Sequence, residues 1–177
     1  MESSADLELR PQTEQRITKL TDFTNAGIDL IKNSEYEKAI NYFENQKFAE
    51  SIGLQMGDSK ALFLRKDLKE PDQINYVLSF ISLHSHFNHR DKEIVIAGLS
   101  NSKFDKNNSK YFVSQDVWKD ISLVNLEEWL HALQFVSQKP LAGEEDEEID
   151  IALYMKAKGI TLTDHFLSMH GRRKAIE

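Results

Sequence analysis

The chain has 177 residues, 40% hydrophobic and 29% charged, with seven Gly, three Pro and no Cys. That balance suits a packed domain rather than a disordered chain, and the missing cysteine excludes disulfides, thiolate metal sites and cysteine nucleophiles. A formal net charge of −7 opposes non-specific binding to nucleic acid and would favour a basic partner.

Residues 1–12 read as a polar N-terminal tail with acids at Glu2, Asp6 and Glu8 and no apolar run of the signal-peptide kind. No stretch approaches the ~18 apolar residues of a membrane span. The expectation is a cytoplasmic protein that uses no membrane, with residues 13–177 forming a single globular domain. From Thr13, the spacing of Ile17, Leu20, Phe23, Gly27 or Ile28, and Ile31 predicts a helix. Asn33-Ser34 interrupts it, with Ser34 as N-cap of a second helix that carries Tyr36, Ala39, Ile40 and Phe43 and runs toward Ile52 and Gly53.

Phe23, Gly27, Tyr36, Ala39 and Phe43 fall in the order large, small, aromatic, small, aromatic. Over roughly residues 20–52 this hairpin resembles a single tetratricopeptide repeat, a TPR-like unit, although Gln46 and Ser51 stand where that family has a small residue and a proline. The resemblance implies binding of a peptide or protein by a helical surface, not chemistry. An ordinary helical hairpin accounts for the same residues without a function.

Gly57-Asp58-Ser59 is turn chemistry, and Ala61 to Leu64 fits a short strand or one helical turn. Pro71 suits the first position of a helix with two apolar stripes, Ile74-Val77-Leu78-Ile81 and Tyr76-Phe80-Leu83-Phe87. Apolar on most sides, that helix is predicted at the centre of the core. Ile94 to Ala97 and Tyr111 to Val113 predict two short strands around a polar loop, with a helix over 91–99 as the other option.

Asn125 and Glu128 form a capping-box pair that starts a helix with the stripe Leu126, Trp129, Leu130, Leu133 and Val136, ended by Lys139-Pro140. The acids Glu144 to Glu148 complement the start of the next helix, which ends at Gly159. Thr161 or Thr163 caps a last short helix, and Arg172-Arg173-Lys174 places cations near its end. The predicted fold class is α+β, predominantly helical, with about six helices and a minor two-stranded element.

Two features carry functional readings. His84, His86, His89 and Asp91 are the densest set of potential metal ligands in the chain. The run resembles the first metal motif of the metallo-β-lactamase fold, His-x-His-x-Asp-His, with Asn88 at the aspartate position. On a continuous helix only His86 and His89 would share a face. Asp105 to Ser109 with Asp116 resembles a calcium loop, but Lys110 replaces its turn glycine, and a polar hairpin loop explains the run better.

No phosphate-binding glycine loop and no nucleophile elbow is present. The reading favoured by the sequence is a non-enzymatic cytoplasmic protein, an adaptor, regulator or inhibitor that binds another protein through a helical surface without a cofactor. Tyr36, Tyr42, Trp118 and Tyr154 are its candidate contact residues, because aromatic anchors dominate interfaces. The alternative is a metal-dependent hydrolase or oxygenase built on His84, His86, His89 and Asp91 with a divalent ion.

Overall fold

The computed structural model describes residues 4–57, 60–61, 85–98 and 115–176. They form a predominantly helical α+β fold, as the patterning predicts. Helix α1 spans Ser4–Lys32, so regular structure begins well before Thr13. Leu20, Phe23, Ile28 and Ile31 are the buried stripe of α1. Helix α2 (Tyr36–Phe43) buries Ala39, Ile40 and Phe43 against it.

The close approach of the two helices depends on Gly27. A Cβ at that position would lie 2.4 Å from the ring of Phe43. Ser34 does not cap α2: it sits in the turn at φ 60°, and Glu35 precedes the helix without a side-chain capping bond. Nor does α2 reach Ile52. It stops at Phe43, and Asn45 caps a separate helix α3 (Gln46–Ser51) by accepting a bond from the Phe48 N–H at 3.0 Å. A short polar side chain that satisfies an orphan N–H starts a new helix there rather than extending the old one.

Gly53, at φ 77°, turns the chain into β1 (Gln55–Met56). The remaining strands are β2 (Lys60–Ala61), β3 (His86–Asn88), β4 (Glu93–Val95) and β5 (Ala97–Gly98). One sheet has the order β1-β4-β3, with β1 parallel and β3 antiparallel to β4, and β2 pairs with β5 in parallel. The minor β element is thus larger than two strands, and residues 93–98 are extended rather than helical. The strand predicted at Tyr111 to Val113 and most of the helix predicted from Pro71 lie outside the described residues, but Phe87, the last residue of that helix's second stripe, stands in strand β3 instead.

Helix α4 (Gln115–Ser137) is the central element of the described fold. It begins ten residues before Asn125, which lies buried in its interior and is not an N-cap. Trp129 shows why this helix anchors the rest. Its indole donates to the Phe43 carbonyl at 2.9 Å, and its ring packs on Phe23 at 4.5 Å and Phe48 at 5.9 Å.

Helix α5 (Glu147–Ala157) starts as the acidic run predicts, with Asp146 as N-cap, and Gly159 at φ 92° follows its end. Thr163 caps α6 (Asp164–Ser168) by accepting from the Phe166 N–H at 3.2 Å. A 3₁₀ turn, Met169–Gly171, contains His170 at φ 56° and leads into α7 (Arg172–Ile176). Among the described residues, no helix is long and apolar enough to cross a membrane.

Candidate functional site

Polar groups rarely sit inside a core without a partner or a task. Helix α4 buries Asp120, Ser122, Asn125, Glu127, Glu128, His131 and Gln134 together with its apolar stripe. Three of them, Glu127, Glu128 and His131, occupy one stretch of the helix and line a cavity of about 230 Å³. Glu148 from the first turn of α5 closes one side. His86 and His89 from the β3–β4 hairpin also line the cavity, as does His170. The hairpin is held over the cavity because Phe87 and His89 pack on Phe135 of α4, at 5.6 and 5.4 Å between ring centres.

A fully buried arginine ties the cluster together. Arg172 donates through Nη2 to Glu127 Oε1 and to Glu148 Oε2, the latter at 2.6 Å. Its Nη1 reaches the Phe166 carbonyl at 3.3 Å, and its guanidinium lies 3.9 Å above the Phe166 ring. The positive φ of His170 and Gly171 turns the chain so that α7 points this side chain inward. Each glutamate therefore has one oxygen held by a fixed cation and keeps a second oxygen for other partners.

A chain of hydrogen bonds sets the orientation of His131. Asp150, fully buried, accepts from the backbone N–H groups of Leu141, Ala142 and Glu144 at 2.7, 2.7 and 3.2 Å. It also accepts from Gln134 Nε2 at 2.9 Å, and the same amide nitrogen reaches the Glu147 carbonyl at 3.1 Å. With its NH₂ committed, Gln134 presents Oε1 to His131 Nδ1 at 3.0 Å. Oε1 can only accept, so Nδ1 carries the hydrogen and Nε2 faces the glutamates. Nε2 lies 3.3 Å from Glu148 Oε1 and 3.8 Å from Glu127 Oε1.

The electrostatics follow from burial and pairing. Burial alone would lower the His131 pKa, but its bonds to Glu127 and Glu148 and the charges of Glu128 and Glu148 raise it to about 10. For Glu148 burial works upward. It is outweighed by His131, Glu127 and Arg172, which hold the carboxyl well below the usual range. Burial pushes Glu127 up, against the pull of His131 and Arg172. Glu128 is raised well above the ordinary value, first by burial and then by the Glu127 charge.

Glu128 has a buried carboxylate oxygen left over. It is 6% exposed, and its Oε2 has no hydrogen-bond partner among the described residues. Ser85 Oγ, on the hairpin side of the same cavity, is likewise without one. One donor atom each from Glu127, His131 and Glu148 lies within 4.8 Å of the others, a grouping that can hold a metal ion.

The histidine motif divides on this frame. His86 and His89 reach the cavity from a strand and its turn, not from a helix. Asp91 is exposed in the hairpin turn, where its carboxylate accepts from Asn88 Nδ2 at 3.1 Å. His84 lies outside the described residues, as does the stretch Asp105 to Lys110.

The aromatic candidates take separate places. Tyr42 stacks on Phe23 at 4.5 Å and donates to the Phe23 carbonyl, and Trp118 is 2% exposed. Tyr36 is half-buried against the core, and Tyr154 carries Lys158 5.2 Å above its ring. Glu127, Glu128, His131, Glu148 and Arg172 were not among the site residues predicted from the sequence. The spacing Glu127-Glu128-x-x-His131 was the available signal, since i, i+3 and i, i+4 side chains share a helix face. The chain matches no family model, no curated protein and no solved structure.

Proposed function

We propose that this chain is a cation-binding protein whose functional centre is the cavity between α4, α5 and the β3–β4 hairpin. The observation that carries the reading is Glu128. A buried carboxylate oxygen without a partner is costly, and it is costliest beside other acids. Glu127 and Glu148 are already matched by Arg172 and His131, so Glu128 is the group that a further positive charge would satisfy. The cavity, about 230 Å³, suits an ion with its waters or a small amine better than a large organic ligand. The reading draws His86 and His89 into the site and leaves Asp91 outside it.

A thermal-unfolding screen of the chelator-treated protein tests it, with divalent metal ions in one set and small organic amines in the other. At least one cation should raise Tm by roughly 5–10 °C at saturating concentration. Glu128→Gln, which keeps the shape and removes the charge, should lose most of that gain. If no cation stabilises the parent chain, the proposal fails.

A further inference from the structure

We infer that the cation is a divalent first-row transition metal ion, held by His131 Nε2 and by carboxylate oxygens of Glu127 and Glu148, with Glu128 at its side. The inference rests on the cation-binding reading and names the ion's class.

The first support is convergence. The three donor atoms come from two helices and lie within 4.8 Å of one another. In a metal site with bonds of about 2.0–2.2 Å, ligand atoms sit roughly 3–4 Å apart, so small side-chain rotations close the set. The second support is the outer shell. A metal-bound histidine ordinarily donates its other ring N–H to a fixed acceptor, and ligating carboxylates are themselves hydrogen-bonded. Both conditions are met before any ion arrives. Asp150 fixes Gln134, Gln134 fixes His131 with Nε2 toward the glutamates, and Arg172 fixes one oxygen of each carboxylate.

The third support is Glu128, buried and unpartnered on the wall of the same cavity. It gives the site a further carboxyl oxygen that the protein's own cations do not occupy. An organic ammonium explains the acids but not an imidazole whose Nδ1 is fixed by a three-residue relay, so that Nε2 can ligate an ion once its proton is displaced to solvent.

The ligand set selects among metals. One imidazole with two carboxylates suits Zn²⁺, Mn²⁺, Fe²⁺ or Co²⁺, whereas Ca²⁺ takes six to eight oxygens and copper(I) prefers sulfur. His86 and His89 line the same cavity.

The test uses the full chain, stripped with chelator and titrated with Zn²⁺, Mn²⁺ and Co²⁺ by calorimetry, with the visible absorption of Co²⁺ as an independent readout. One ion per chain and a Co²⁺ band are expected. His131→Gln and Glu148→Gln should each weaken binding at least 100-fold and change the band. Gln134→Ala, which removes only the outer-shell partner, should weaken it 10–100-fold. Asp164→Asn, at an exposed site paired with Arg173, should bind as the parent does.

Circular dichroism checks that each variant is folded, and if His131→Gln is not, Glu148→Gln carries the comparison. A protein stabilised by amines that takes up no metal overturns this inference and spares the cation reading. Stabilisation by no cation overturns both. Metal uptake that His131→Gln and Glu148→Gln leave unchanged places the ion elsewhere and also overturns the inference.

Discussion

His131 illustrates how a single side chain acquires its chemistry from neighbours that are distant in sequence. Its Nδ1 is claimed by Gln134 on its own helix, while Glu148, which comes from another helix, lies near Nε2. The pH dependence of stability follows from these partners. A group raised from 6.5 to about 10 contributes stability that is fully present below pH 6.5 and is lost as pH rises through 10. Glu128 acts in the same direction: its raised pKa means that the folded chain keeps a proton the unfolded chain gives up above about pH 4.5. Chelator-treated protein should therefore lose stability between pH 6.5 and 10, as read by denaturant unfolding at several pH values. His131→Gln should flatten that decline. An equally steep decline in the variant would show that His131 does not cause it. On the acid side the sign reverses. Glu148 is held low, so its contribution is present above pH 4.5 and disappears as pH falls through its depressed value.

Elements meet here through a few close contacts rather than through broad apolar faces alone. The α1–α2 pair depends on Gly27, whose missing side chain leaves room for the Phe43 ring. Gly27→Ala should cost about 1–3 kcal/mol, because the core must shift to admit a methyl group at contact distance. For a chain of this size that lowers Tm by roughly 2–4 °C per kcal/mol, and a variant with unchanged Tm would show that α2 can slide without loss. The α4–α5 connection depends on a different device. Gln138, at φ 55°, leaves α4, and Asp150 then gathers the N–H groups of Leu141, Ala142 and Glu144. Asp150→Ala orphans those donors and frees Gln134, at a cost of roughly 1–3 kcal/mol for each group left unsatisfied. Hydrogen exchange should report it directly, with the Leu141 and Ala142 amides losing protection while the middle of α1 keeps its own. Uniform loss across both regions would mean that Asp150 supports the whole fold instead of one loop.

Across the molecule, Arg172 joins the last helix to the central one. Its fully buried guanidinium serves Glu127 on α4, Glu148 on α5 and the end of α6 at once. Removing one partner of a buried ion pair leaves an uncompensated charge, so Arg172→Ala should cost about 3–5 kcal/mol in denaturant unfolding. Arg172→Lys should recover little of it, since one ammonium cannot reproduce the planar fork. If Arg172→Ala together with Glu127→Gln is as unstable as Arg172→Ala alone, charge imbalance is not the source of the loss. Much of this architecture is legible in the chain itself. Helical periodicity in α1 and α2, the acidic N-terminus of α5, a cap at Thr161 or Thr163 (the structure uses Thr163) and Gly159 as a stop are all local features, set by backbone geometry within a turn or two. The centre of the site is not local. Arg172 reads as one of three terminal cations near a helix end, and Glu128 reads as the capping-box partner of Asn125. His86 and His89 line the same cavity, but their local motif includes Asp91, which the hairpin turns out to solvent. Composition and periodicity by themselves determined a mostly helical chain free of thiol chemistry, because both follow from residue type and short-range spacing. Only the tertiary structure decided which acids lose their water and which cations they meet, because desolvation and ion pairing depend on contacts between segments 45 residues apart, as in Glu127 and Arg172.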